Sequence, residues 1–212
     1  MKKAIFIIII ILLIDQISKI YVKTHFYLGE SVLILGWEKA QIYFTQNNGM
    51  AWGAEFGGRT GKLILSIFRL FAVTGIAYWL YDSVKKNKHK ILIVSIAFIF
   101  AGAVGNILDS LFYGLIFDDP AHGRVATMFP EKGYESVFYG KVVDMFYFPL
   151  WQGTFPEWVP KFGGRPFTFF NAIFNVADAA ITIGVFLLIL FNKKAFPKDL
   201  EPETEVYLED LL

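Results

Sequence analysis

The sequence predicts an all-α membrane protein with four transmembrane helices, both termini on the cytoplasmic side, and a small extracytoplasmic cap rich in β-strands and loops. Of its 212 residues, 55% are hydrophobic and only 18% are charged, below the roughly 25% charge of an ordinary soluble domain. Four apolar stretches reach the length of about 20 residues that a spanning helix needs. Lysines cluster at alternate ends of these stretches, which indicates a common orientation.

The four predicted spans cover about residues 4–22, 63–81, 91–113 and 167–191. The first follows Met1-Lys2-Lys3 and also has the form of a secretory signal peptide. However, polar residues from Asp15 to Lys19 continue the stretch, and no Ala-x-Ala cleavage pattern follows it. A retained membrane span is therefore the favoured interpretation.

The lysines set the predicted direction of the chain. They precede the first span, fill the link between the second and third, and follow the fourth: Lys2, Lys3, Lys85, Lys86, Lys88, Lys90, Lys193, Lys194 and Lys198. The positive-inside rule makes that side the cytoplasm. The longer connections, about 23–62 and 114–166, are then extracytoplasmic.

These two outer segments are rich in aromatic residues, as is typical of the membrane interface. The runs Val32–Leu35 and Ala40–Phe44 predict short strands, whereas the Pro- and Gly-rich segment Trp151–Pro166 predicts a loop. We expect one domain, 1–212, ending in a solvated acidic tail, Glu201–Leu212.

Composition also excludes several function classes. The net charge of +1 argues against nucleic acid as a partner, because phosphate binding needs a basic excess. Without cysteine there is no disulfide, thiolate metal site or cysteine nucleophile. The three histidines, His25, His89 and His122, lie too far apart for a recognisable zinc motif.

Polar residues of the predicted spans fall in their outer halves. The set is Asp15, Ser18, Lys19, Arg69, Asn106, Asp109, Ser110, Asn171, Asn175, Asp178 and Thr182. The last four, separated by 4, 3 and 4 positions, predict one helical stripe. Ionisable groups in a bilayer are costly, so we expect them to face the bundle interior or a wet cavity.

Many of these groups have a structural interpretation. Asn171, Thr182, Ser18 and Ser110 are typical of helix-to-helix hydrogen bonding. Asp15 and Lys19 are expected to form an ion pair rather than to act in catalysis. Arg69 either extends outward to the headgroups or neutralises an acid, and the sequence leaves both interpretations open.

Asp144 and Asp178 predict chemistry. Asp144 lies in the apolar outer run Val142–Phe146, where a strand can approach the membrane, and Asp178 lies in the last span. If the two carboxyls meet, they cannot both ionise, and the pair becomes an acid and a base around one water. Such a pair can hydrolyse a peptide bond.

Five fragments in order resemble the lipoprotein signal peptidases, the type II signal peptidases of bacteria. They are Asp15-Gln16-Ile17-Ser18-Lys19, Asn47-Asn48-Gly49-Met50-Ala51-Trp52, Gly105-Asn106-Ile107-Leu108-Asp109, Val142-Val143-Asp144 and Phe174-Asn175-Val176-Ala177-Asp178. The resemblance implies an aspartic endopeptidase of the bacterial cytoplasmic (inner) membrane. Its substrates would be diacylglyceryl-modified prolipoproteins, cut before the lipidated cysteine among membrane lipids, with no metal or organic cofactor. It also implies inhibition by globomycin-type cyclic peptides.

The family's catalytic aspartates correspond to Asp144 and Asp178, and its active-site polar residues to Asn47, Gly49, Asn106, Asp109 and Asn175. The chain departs from the pattern at Ser110, where the family has an arginine that serine cannot replace. Arg69 and Arg124 are the candidates for that role. The outer connection is also longer than usual, around 115–138 and 149–166.

Two other functions stay open at this point. A small proton-coupled carrier would also use buried carboxylates, although it predicts polar residues along a whole path, and the inner halves here are apolar. In a structural membrane protein or assembly factor, the polar layer would hold the helices together by hydrogen bonds. Asp144 would then be freely replaceable.

Overall fold

A computed structural model describes residues 1–49, 57–120 and 123–197. The predicted acidic tail and the end of the second motif, residues 50–52, lie outside the described residues. Three of the described helices are long and apolar enough to cross a membrane. They are α1 (Lys2–His25), α2 (Gly58–Lys85) and α3 (Lys90–Leu108), which continues through a π-helical turn (Asp109–Tyr113) and α4 (Gly114–Ile116). The first three predicted spans are thereby confirmed as helices.

The predicted start of the fourth span is wrong. Its helix, α5, covers only Val176–Leu190 and is followed by the short α6 (Asn192–Ala195). Fifteen residues extend about 22 Å, less than the roughly 30 Å hydrocarbon core. Asn175 caps the helix, and the aromatic residues before it form strands. Asn171 is therefore outside the helix, and the predicted helical stripe is reduced to the N-cap Asn175 followed by Asp178 and Thr182.

Helix α3 is the central helix and packs against α1, α2 and α5. Small residues allow this close packing. A Cβ at Gly102 would lie 2.2 Å from the carbonyl oxygen of Ala177, and one at Gly105 would lie 2.6 Å from the Asp15 carboxylate. By contrast, α1 and α2 expose large apolar side chains such as Phe6, Phe68 and Phe71, as expected of surfaces that face lipid.

A four-stranded antiparallel sheet forms the cap. In their order across the sheet, its strands are β1 (Ser31–Ile34), β2 (Trp37–Asn47), β3 (Val142–Tyr147) and β6 (Ile173–Phe174). The first two confirm the predicted strands. Phe44, Val143 and Met145 are buried beside Tyr113 and Phe117, so the cap core lies directly on the end of α3.

The segment Trp151–Pro166, predicted as a loop, begins a second, two-stranded sheet. Strand β4 (Trp151–Thr154) pairs antiparallel with β5 (Pro166–Phe169). Pro156, Pro160, Gly163 and Gly164 lie in the tip that joins the strands, whereas Gly153 is in β4 and Pro166 begins β5. The loop prediction is therefore correct for the tip and wrong for Trp151–Thr154 and Pro166.

Candidate active site

Asp144 is delivered by the cap sheet. In β3 it is paired with Thr45 of β2. Side chains alternate along a strand, so Asp144 faces away from Val143 and Met145, which are in the cap core. Its side chain therefore turns towards the helices, and the residue is only 4% exposed.

Asp178 is delivered by the first turn of α5. The Asn175 side chain accepts a hydrogen bond from the Asp178 backbone N–H at 2.9 Å, and Asp178 Oδ2 accepts one from the Asn175 backbone N–H at 3.3 Å. These two bonds form a capping box. The positive end of the helix dipole stabilises negative charge at this position.

Both carboxyls line one pocket of about 480 Å³. Its lining includes three further residues that the sequence predicts for the site, Asn47, Gly49 and Asn106. The other lining residues are Thr45, Gln46, Arg69, Val142, Asn171, Ala172, Ile173 and Phe174. Asp144 and Asp178 come from separate motifs of the sequence, and the fold brings both to this pocket.

Side-chain amides hold the two carboxyls. Asn175 Nδ2 donates to Asp144 Oδ1 at 2.7 Å, and Asn47 Nδ2 donates to Asp144 Oδ2. Asn106 Nδ2 donates to Asp178 Oδ1 at 2.8 Å. Side-chain amides are neutral, so they orient the two carboxyls without neutralising them, and each carboxyl can be either ionised or protonated.

Burial, together with the neighbouring charge of Asp178, raises the pKa of the Asp144 carboxyl to about 7. The hydrogen bonds from Asn175 and Asn47 oppose this increase in pKa. At neutral pH, Asp144 is thus partly protonated beside a carboxyl at a helix N-terminus. An acid and a base in one pocket are the groups that general acid–base hydrolysis requires.

Asp15, Lys19 and Asp109 form a separate cluster beneath the pocket. Lys19 Nζ lies 2.9 Å from Asp15 Oδ2 and 2.9 Å from Asp109 Oδ2. All three residues are fully buried. The expected Asp15–Lys19 ion pair is present, but Asp109 completes this cluster and is not among the residues that line the pocket.

The ion-paired cluster also fixes the start of α5. Asp15 Oδ1 accepts a hydrogen bond from the Ala177 backbone N–H at 2.8 Å. Asn106 Oδ1 accepts from Lys19 Nζ at 2.9 Å and from Asn175 Nδ2 at 3.1 Å. Asn106 and Asn175 therefore connect the buried ion pairs to the two carboxyls of the pocket.

Two supporting residues were not assigned roles from the sequence. Gln16 donates to Asp15, Asp109 and the Gly105 carbonyl, and accepts from the Tyr113 hydroxyl. Lys62 donates to the carbonyl oxygens of Asn48 and Gly140 at 2.9 and 2.6 Å. The available signals were the position of Gln16 inside the first motif and a cation just before the second span.

Of the two arginines considered as substitutes for the family arginine at position 110, Arg69 lies in the pocket and Arg124 does not. Arg69 lines the pocket and donates to the carbonyl oxygen of Gly49. Its Nη1 is buried, with no hydrogen-bond partner among the described residues. Arg124 instead pairs with Asp118 at 3.1 Å in the outer segment, and Ser110 bonds the Asn106 carbonyl at 3.3 Å.

The part of the chain that the structure describes contains no cluster of metal-binding side chains. There, no group of three or more His, Cys, Asp or Glu side chains could hold a metal ion. The polar side chains that line the pocket include two carboxyls, one guanidinium and the four amides of Gln46, Asn47, Asn106 and Asn171.

Comparisons with known proteins agree on one family. Residues 7–193 match the family model described as signal peptidase (SPase) II. The lipoprotein signal peptidase of Porphyromonas gingivalis strain ATCC 33277 is 44% identical over 210 residues, covering 93% of this chain and 90% of the relative. That of Amoebophilus asiaticus strain 5a2 is 36% identical over 205 residues, covering 94% and 82%.

Solved structures give the same result for the fold. A bacterial membrane enzyme determined by the in meso method at 2.3 Å resolution superposes with a TM-score of 0.59 at 25% identity, covering 95% of this chain and 94% of that one. A second such enzyme, at 1.9 Å, has a TM-score of 0.55 at 25% identity, covering 94% and 95%.

Proposed function

The chain belongs to the signal peptidase II family and removes signal peptides from prolipoproteins, and we propose that it does so as an intramembrane aspartic endopeptidase. Asp144 and Asp178 are its proposed catalytic carboxyls. One observation carries this proposal: strand β3 and helix α5 bring both carboxyls to a single pocket. Within the described ranges, neither carboxyl has a Lys, Arg or His nitrogen within ion-pair distance.

The proposed reaction uses one proton shared by the pair. Asp178, stabilised as an anion at the helix N-terminus, takes a proton from a water whose oxygen attacks the scissile carbonyl carbon. Protonated Asp144 donates a hydrogen bond to the carbonyl oxygen. When the C–N bond breaks, Asp178 gives the proton that it took from the water to the leaving nitrogen, Asp144 keeps its own proton, and the products are a carboxylic acid and an amine.

Amides and the guanidinium have supporting roles in this proposal. Asn47, Asn106 and Asn175 hold the carboxyls through hydrogen bonds. Gly49 keeps space beside Arg69, because a Cβ at position 49 would overlap the guanidinium. Asp109, with Asp15 and Lys19, holds the helices beneath the pocket together.

The depth of the pocket suits a lipid-modified substrate. The chain is a multi-pass membrane protein, and the lysine distribution supports cytoplasmic termini, a fourth crossing made by α5 together with the apolar residues that flank it, and a pocket on the extracytoplasmic side of the inner membrane. A diacylglyceryl group would hold the cysteine of a precursor at the outer surface. The bond before that cysteine would then be presented at the height of the two carboxyls.

Neither competing function gains support. Family membership speaks against a proton-coupled carrier, and the apolar inner halves of the spans provide no polar path. A purely structural role would leave Asp144 without a reason to be buried beside another acid in a pocket.

The test is cleavage of a diacylglyceryl-modified prolipoprotein by the full-length protein in liposomes, with Asp144→Asn and Asp178→Asn variants. Each variant is expected to lower the rate by roughly 10²- to 10⁴-fold, the usual contribution of a general acid or base. Asp118→Asn, in the outer segment, is the matched control and should cleave normally. Near-normal turnover by either active-site variant would rule out the aspartic mechanism.

Globomycin provides a second, independent measurement in the same assay. We expect it to block cleavage by occupying the pocket between the carboxyls.

An unmodified precursor tests the requirement for lipid in the same assay, and we expect it to be cut poorly. Equal cleavage of modified and unmodified precursors would contradict the proposed requirement for a lipidated cysteine.

A further inference from the structure

The β4–β5 hairpin has two chemically different faces. The strand register places Trp151 opposite Phe169 and Gly153 opposite Phe167, whereas Gln152 is opposite Thr168. Because side chains alternate along a strand, Trp151, Phe167 and Phe169 share one face. Gln152, Thr154 and Thr168 share the other face, which is polar.

The aromatic face is continuous and exposed. Trp151 and Phe167 have ring centroids 5.5 Å apart, Phe167 and Phe155 4.6 Å, and Phe155 and Phe162 5.7 Å. Trp151 is 65% exposed, Phe169 59% and Phe162 51%. A contiguous apolar patch of this kind marks an interaction site.

The tip of the hairpin satisfies much of its own backbone. Phe155 and Arg165 are joined by an N–H···O bond of 2.9 Å, and the Gly164 N–H donates to the Phe155 carbonyl at 3.0 Å. The Gly163 N–H donates to the Val159 carbonyl at 2.9 Å. Internal satisfaction of backbone polar groups is what a segment needs in order to enter an apolar environment.

Within the described residues, much of the aromatic face of the hairpin is exposed, although Trp151 borders a cleft shared with Leu33 and Gln41 of the cap sheet. Strands β4 and β5 pack chiefly against each other. An isolated two-stranded hairpin is only marginally stable in water. A further contact is therefore expected, and the surroundings of the hairpin indicate what supplies it.

The location of the hairpin favours lipid. Only five residues separate β5 from Asn175, the N-cap of α5, and α5 packs along the membrane helix α3. Phe170 and Phe148 both contact Phe174 at this junction. The hairpin thus begins at the end of the helical bundle, at the level where the membrane surface is expected.

We propose that the β4–β5 hairpin lies in the headgroup region of the outer leaflet, with its aromatic face against the acyl chains. Its composition suits that surface, because Trp and Phe are accompanied by the exposed cations Lys161 and Arg165. Aromatic rings prefer the interfacial layer, and cations attract lipid phosphates. The hairpin would hold the cap, which carries Asp144, at a fixed height on the bilayer.

The two faces of the hairpin provide the test. The chain has no cysteine, so single cysteines can carry a nitroxide label at Trp151→Cys and Phe169→Cys on the aromatic face. Gln152→Cys and Thr154→Cys on the polar face are the matched controls. Full-length protein is reconstituted in phosphatidylcholine vesicles containing phosphatidylglycerol, and label accessibility to oxygen and to a water-soluble nickel complex is measured.

We expect the oxygen-to-nickel accessibility ratio to be several-fold higher at positions 151 and 169 than at 152 and 154, with prolipoprotein cleavage retained. Equal, water-like ratios on both faces would overturn the proposal. A lipid-like ratio that arises only after a precursor is added would assign the face to substrate instead. Phe162→Cys in the tip gives the same comparison if a strand variant fails to fold.

Discussion

Two acid clusters in this molecule contain the same residue type but differ in charge balance. In the lower cluster, Asp15 and Asp109 both lie 2.9 Å from Lys19 Nζ, and none of the three side chains is exposed. In the upper cluster, Asp144 and Asp178 line a pocket and receive hydrogen bonds from neutral amides. Only the upper pair combines access to a ligand with carboxyls that have no ion-paired cation among the described residues, and the Arg69 guanidinium in the same pocket bonds the Gly49 carbonyl oxygen.

The difference shows how one protein can contain a structural ion-paired cluster close to a pair of proposed catalytic carboxyls. A cation between two carboxylates satisfies both and makes the cluster a fixed connection between α1 and α3. Amides orient the upper pair but leave its protons free to move. Asn106 bonds Lys19 and Asp178, and Asn175 bonds Asn106 and Asp144, so the ion-paired cluster supports the geometry of the proposed catalytic pair.

Removing the cation should produce the largest effect on stability. Lys19→Met leaves two buried carboxylates unpaired, which costs about 3–5 kcal/mol. We expect a marked loss of thermal stability in detergent, measured by unfolding of the purified protein. Activity should decline only as the folded fraction declines.

A triple variant, Asp15→Asn with Lys19→Met and Asp109→Asn, is the control for this prediction. It removes the charges together, so most of the lost stability should return. A Lys19→Met protein that unfolds like the parent yet fails to cleave would instead give the lower cluster a catalytic role.

Arg69 should have the next largest effect. Arg69→Ala removes a charged hydrogen bond from the pocket, and we expect cleavage efficiency to fall about 10- to 100-fold. Arg59→Ala, on the same helix, is the matched control, because Arg59 pairs with Glu135 at the surface. Steady-state cleavage rates of the two variants make the comparison, and equal rates would show that the pocket does not need its guanidinium.

The smallest predicted effect is a gain in stability. The pKa of Asp144 is raised from its usual range to about 7 in the folded protein, so between about pH 4 and 7 the folded state binds the extra proton. Folded-state stability contributed by this group therefore falls as pH rises through that window. Asp144→Asn should unfold at a higher temperature than the parent at pH 8, with a smaller difference at pH 5.

Thermal unfolding of both proteins at the two pH values checks this gain. If Asp144→Asn were less stable than the parent at pH 8, the carboxylate would be stabilised in the fold. The two acid clusters would then not differ in charge balance.

The sequence predicted the helices and the meeting of two motifs for a physical reason. Long apolar runs have few alternatives to a helix, and ordered motifs indicated Asp144 and Asp178. The start of the fourth helix was not predictable in this way, since Phe167–Phe174 is apolar and aromatic enough for either a span or a strand. In the structure, the helix begins after Asn175 because the side chain of Asn175 caps its N-terminus.

Contacts between residues distant in the sequence could not be predicted either. Lys19 is next to Asp15 on one helix, but its second partner, Asp109, comes from another helix. Arg69 had two equally reasonable interpretations, and the packing of α2 beside Gly49 placed it in the pocket. The strand pairing of Trp151–Thr154 depended on a partner more than ten residues away.

The most direct test of the central claim is the pH dependence of prolipoprotein cleavage by the full-length protein in liposomes. A pair that shares one proton loses activity when both carboxyls are protonated and again when both are ionised. The raised pKa of Asp144 places the alkaline decline near pH 7, so we predict a bell-shaped profile. A rate that stays constant from strongly acid to strongly alkaline conditions would contradict the shared-proton mechanism.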